Sequence, residues 1–127
     1  MTRQIISTPN APNAVGTYSQ AVKCGKTVYV SGQIPLDPAT GALVENSIEA
    51  EIRRVFDNLK AIVTAAGGGF SQVAKVNVFL TDLGNFAVLN KIMAEYFTEP
   101  FPARAAIQVS ALPKGARVEI DCVVELD

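Results

Sequence analysis

Histidine is absent from all 127 residues, and this absence removes more chemistry than any other feature of the chain. No Ser-His-Asp or Cys-His nucleophile can be assembled, no HExxH zinc site, and no imidazole acid–base couple near neutral pH. Cysteine is scarce as well. Cys24 and Cys122 lie far apart with no CxxC spacing, so they read as small buried hydrophobes in a reducing compartment, the alternative being a redox role. No carboxylate cluster has a recognisable ligand pattern, so neither a metal nor an organic cofactor is expected. The chain has no basic run denser than Arg53-Arg54 and a net charge of −1, whereas a nucleic-acid binder normally shows a basic face. No apolar run approaches membrane-spanning length, and Met1–Ile6 lacks a signal-peptide core. The expectation is a cytoplasmic protein with no nucleic-acid or membrane partner.

What remains is carboxylate, tyrosine, serine, asparagine, arginine, backbone and water, which suits a substrate that is already reactive. The length fits a single domain over residues 1–127. Residues 1–13 read as irregular, and 17–23 and 27–33 as a hairpin about Cys24-Gly25-Lys26. Ile48, Ile52, Val55, Leu59, Ile62 and Val63 recur at helical spacing, with Asn46 as N-cap and Gly67-Gly68-Gly69 as the stop. The stretch from Val73 to Leu80 alternates as a strand, with Ala74, Val76, Val78 and Leu80 on one side. A second helix is expected from about Asn85 to Phe97, followed by two strands joined through a Pro/Gly loop. The order β-β-α-β-α-β-β implies an α/β sandwich, a mixed sheet with both helices on one face. The other face would stay uncovered and predicts association with further subunits.

The C-terminal strands carry the candidate chemistry. Strand alternation places Arg104, Ala106 and Gln108 on one side of the first. On the second, Arg117, Glu119 and Asp121 lie opposite an apolar face of Val118, Ile120, Cys122 and Val124. Arg104 reads as a bidentate clamp for a substrate carboxylate or as a surface arginine. Glu119, on the next strand, reads as a water-orienting base or as a solvated edge carboxylate. Asn90 interrupts the apolar stripe Phe86, Leu89, Met93, Phe97 and must find a partner, structural or ligand. Ser31 and Gly32 offer a hydroxyl and a backbone N–H to an anion, or mark a bulge. Tyr18, at the start of an early strand, could wall a pocket or simply pack.

Several separated segments together resemble the RidA (YjgF) family over nearly the whole chain. They are Ala11-Pro-Asn-Ala-Val-Gly-Thr-Tyr18-Ser-Gln, Val30-Ser-Gly-Gln-Ile-Pro35, Asp57-Asn-Leu-Lys-Ala-Ile62, Phe86-Ala-Val-Leu-Asn90, Phe101-Pro-Ala-Arg104 and Leu112-Pro-Lys…Val118-Glu-Ile120. The resemblance implies a chorismate-mutase-like fold and a homotrimer with ligand clefts between subunits. It implies hydrolysis of 2-aminoacrylate/2-iminopropanoate and 2-aminocrotonate/2-iminobutanoate to 2-oxo acids and ammonia. By the same resemblance Arg104 binds the carboxylate, Glu119 positions water, and Tyr18, Ser31, Gly32 and Asn90 line the pocket. Ala106 stands where active relatives often have cysteine, and would contribute a backbone N–H. Thr17 replaces a common proline. Two other readings stay open: a non-catalytic module for small carboxylates such as 2-oxo acids or for a protein partner, and an endoribonuclease or translation inhibitor.

Overall fold

The computed structural model describes residues 2–127 and contains one six-stranded mixed sheet with two helices packed on one face. Its strands are β1 (Gln4–Ile6), β2 (Ala21–Cys24), β3 (Thr27–Gln33), β4 (Val73–Leu80), β5 (Ala103–Gln108) and β6 (Val118–Glu125), and its helices are α1 (Ile48–Ala65) and α2 (Phe86–Tyr96). The order along the chain is β-β-β-α-β-α-β-β, one strand more than expected, because Gln4–Ile6 pairs with β2 in a stretch read as irregular. The expected first strand also shortens. It begins at Ala21, which leaves Tyr18 in an irregular segment ahead of it.

α1 forms where periodicity places it, and it buries Ile52, Val55, Phe56, Leu59, Ile62 and Val63. Its cap is Ser47 rather than Asn46: the Ser47 hydroxyl accepts from the Ala50 N–H at 3.1 Å. Glu49 and Glu51 occupy the first turn, where the helix dipole favours negative charge. The helix stops at Ala66, and Gly67 follows with φ +92, a left-handed conformation that glycine adopts without cost. Phe56 of α1 stacks on Tyr96 of α2 with centroids 5.0 Å apart and meets Phe97 edge-on at 6.0 Å. These aromatic contacts fix α2 against α1 and so set where Asn90 points.

The strand order across the sheet is β1-β2-β3-β6-β4-β5. β4 and β5 run parallel, and α2 is the crossover between them that parallel pairing requires. β5 and β6 are therefore not neighbours, although only a short loop separates them in sequence. β4 lies between them. In β4 the register with β6 shifts between Val73 and Lys75, so Val73 enters the core and Ala74 is exposed, contrary to the alternation expected.

Candidate active site

The register sorts the site residues by face. Arg104 aligns with Val76 and Ala106 with Val78, both buried under the helices, so Arg104 and Ala106 project on the helix-covered side of the sheet edge. Glu119 aligns with Phe79, which aligns with Ile107, and all three point to the open face. Arg104 and Glu119 thus stand two strands apart on opposite faces. The expectation that these adjoining strands could jointly hold a small carboxylate and a water does not hold within one copy of the chain.

Each residue instead belongs to a separate recess. The larger, of about 860 Å³, is lined by Tyr18, Ser31, Gly32 and Glu119 together with the 36–41 loop, Pro113 and Lys114. The smaller, of about 360 Å³, contains Arg104 and Asn90 with Met93, Ala94, Phe101 and Pro102. Ala106 is half-buried against the core and lines neither.

Gly32 lets the Glu119 carboxylate lie directly against the β3 backbone. A Cβ built on Gly32 would overlap the Glu119 carboxylate at Oε2, and Gly32 sits where β3 shifts register against β6. Of the two sequence readings of this position the bulge is present, and the group lying against Gly32 is a side chain of the same molecule. Burial pushes the Glu119 carboxyl above the ordinary range, and the nearby Asp121 charge adds to the rise. Asp121 itself accepts from Asn77 Nδ2 at 2.8 Å across to β4.

Ser31 does not present a free hydroxyl. Its Oγ donates to the Ser19 carbonyl and its backbone N–H to Gln20 at 2.9 Å, so it fastens the segment that carries Tyr18. The Tyr18 hydroxyl accepts from Val15 N–H at a long 3.4 Å, and the residue remains 52% exposed along the recess wall.

Arg104 is an exposed arginine with a defined pose. Its Nη1 donates to Asn90 Oδ1 at 2.7 Å and lies 3.7 Å from Met93 Sδ, while Cζ sits 5.0 Å from the centre of the Phe86 ring. Both recorded contacts use Nη1, which leaves the Nε–Nη2 edge of the guanidinium to fork onto a planar anion. Asn90 is correspondingly not a buried polar intruder. It is exposed, and its partner is Arg104.

Two buried polar residues shape the larger recess and were not anticipated. Asn58, fully buried in α1, donates from Nδ2 to the Leu36 carbonyl at 2.9 Å and accepts from Arg54 Nε at 3.0 Å. Gln20, 3% exposed, accepts from the Thr8 N–H at 2.7 Å and donates to the carbonyls of Thr8 and Pro12 at 3.0 and 2.8 Å. The two amides fasten the segments that bring Pro12 and Leu36 to the recess lining. Asn58 falls three residues after Val55, at the edge of the α1 stripe, so the test that singled out Asn90 would also have found it. Among the described residues no group of three or more His, Cys, Asp or Glu is arranged to hold a metal ion, and no helix is long and apolar enough to cross a membrane.

Residues 8–126 match the family model described as Endoribonuclease L-PSP. Protein DfrA of Myxococcus xanthus is 51% identical over 97% of this chain and 95% of its own length. A 2-iminobutanoate/2-iminopropanoate deaminase of Dermatophagoides farinae is 46% identical over 98% of each. The crystal structure of RidA from the Antarctic bacterium Psychrobacter sp. PAMC 21119 superposes with a TM-score of 0.94 and 54% identity, covering 97% of this chain and 99% of that one.

Proposed function

Because the chain belongs to the RidA (YjgF) family, we propose that it hydrolyses the enamine/imine forms of small 2-amino acids to 2-oxo acids and ammonia. The substrates in view are 2-aminoacrylate/2-iminopropanoate and 2-aminocrotonate/2-iminobutanoate. The observation that carries the reading is the Glu119 carboxylate, seated on side-chain-free Gly32 at the wall of a large recess and held above its ordinary pKa by burial. A base with a raised pKa, in reach of a bound water, is what addition of water to a C=N bond asks of a protein.

The tautomerised imine carbon is already electrophilic. Water oxygen bonds to that carbon while Glu119 takes one of its protons. The resulting carbinolamine then collapses to C=O as its hydroxyl gives up the second water proton, the C–N bond breaks, and the nitrogen leaves as ammonia carrying both water protons, relayed through Glu119. No covalent enzyme intermediate is needed, so the absence of histidine is no obstacle. Arg104 clamps the substrate carboxylate through its free guanidinium edge. With Arg104 and Glu119 in separate recesses, the clamp and the base must come from different copies of the chain, and we place the site at the boundary between subunits of a cyclic homotrimer. The uncovered sheet face supports this assembly: Ile5, Tyr29 and Ile107 on it are each at least half exposed. The family model's endoribonuclease description finds no comparable support, since the net charge is −1 and histidine is lacking.

The test couples a serine or threonine dehydratase to the protein and follows decay of the imine. Acceleration that disappears in Glu119→Gln supports the reading. Saturable binding of 2-oxo acids without acceleration replaces it with a non-catalytic carboxylate-binding module.

A further inference from the structure

We propose that Lys114 reads a second acidic group on the ligand, so that the recess beside Glu119 favours 2-imino and 2-oxo acids bearing a side-chain carboxylate. The inference rests on the deaminase reading above and narrows its substrate class.

Lys114 stands out first by its backbone. It has φ +59 and ψ 20, and it is the one non-glycine residue with positive φ among those described. An L-residue in this region is disfavoured by its Cβ, and glycine or asparagine would occupy it at less cost. Such conformations persist where the surroundings over-determine them, and they cluster at ligand sites. Here the turn is fixed on both sides. Gly115 N–H donates to Leu112 at 3.2 Å, and Ala116 N–H donates to Pro113 at 3.1 Å. The strained residue belongs to the same recess as Tyr18 and Glu119.

Its charge is the second observation. Lys114 is the sole cation in the lining of that recess, and the two ion pairs among the described residues, Arg53–Glu95 and Arg117–Glu51, involve neither Lys114 nor any cation of the site. The wall facing the ligand is otherwise apolar or uncharged through Pro12, Val15, Leu36 and Pro38, with Glu119 the only carboxylate. A ligand carboxylate entering this space would find one complementary charge.

The third observation is room. A recess of about 860 Å³ in one copy of the chain is far more than a three- or four-carbon imine fills. Since Arg104 supplies the clamp for the carboxylate next to the reacting carbon, Lys114 is left for a group at the far end of the side chain.

The experiment is calorimetric titration of the full chain with 2-oxoglutarate and with 2-oxopentanoate, which match in chain length and differ by a distal carboxylate against a methyl. Lys114→Gln, which removes the charge, should weaken 2-oxoglutarate by roughly tenfold and alter 2-oxopentanoate less than about twofold, and Lys114→Arg should restore most of the loss. Equal weakening of both ligands would assign Lys114 to the carboxylate beside the reacting carbon and overturn the proposal, as would no weakening of either. Wild-type binding of 2-oxopentanoate but not 2-oxoglutarate overturns it and leaves the small-carboxylate reading intact. Binding of neither removes both.

Discussion

In the proposed mechanism Glu119 would work in the ionised form that its burial disfavours. Because its carboxyl is raised by burial and by Asp121, the folded chain holds that proton more tightly than the unfolded chain does. Stability attributable to this group is therefore present below the ordinary glutamate range and falls as pH rises through the raised value. Glu119→Gln removes the buried charge, so it should raise the melting temperature at neutral pH while lowering turnover by up to about 10²–10⁴-fold. A melting curve and an imine-decay rate on the same preparation check both signs at once, and a variant less stable than the wild type would contradict the first. Arg104 is the complementary case, an exposed side chain aligned by Asn90 and Phe86. Arg104→Lys keeps the charge but loses the planar fork, and should cut kcat/KM by at least about tenfold with the melting temperature nearly unchanged. Full activity in the lysine variant would mean that charge alone suffices.

Long periodic elements were legible in the sequence, and short or non-local ones were not. α1 and β4 emerge from periodicity because each repeats its apolar signal over 18 and 8 residues. β1 has only three residues, Gln4-Ile5-Ile6, and exists because β2 offers it an edge, which no local pattern records. The same limit misled the site. Arg104 and Glu119 are close in sequence and on strands joined by a short loop, yet the parallel crossover through α2 carries β5 to the far side of β4. Sequence motifs named the residues of both recesses without separating them. The buried amide was also assigned to the wrong helix: α2's Asn90 is exposed, and α1's Asn58 is the buried one. Asn58→Ala should cost on the order of 1–3 kcal/mol, since it leaves the Leu36 carbonyl unpartnered beneath the recess loop. Asn90→Ala should cost much less in stability. Denaturant unfolding of the two variants side by side measures the difference.

At the scale of the whole molecule, the open sheet face and the divided site make one prediction together. If the site lies between subunits of a trimer as proposed, Arg104→Ala and Glu119→Gln chains, each inactive alone, should recover activity when unfolded together and refolded as mixed trimers. Random assembly of equal amounts pairs an intact Glu119 with a neighbour's intact Arg104 at about a quarter of the boundaries, so roughly that share of wild-type activity should return. No recovery would place the whole site within one copy. The opposite orientation of Arg104 and Glu119 has a further consequence for the protein in dilute solution. If the site lies between subunits as proposed, a separated subunit would hold the clamp of one site and the base of another. Specific activity should then fall on dilution before any change in circular dichroism, and an assay run far below the assembly constant would report a well-folded protein as inert.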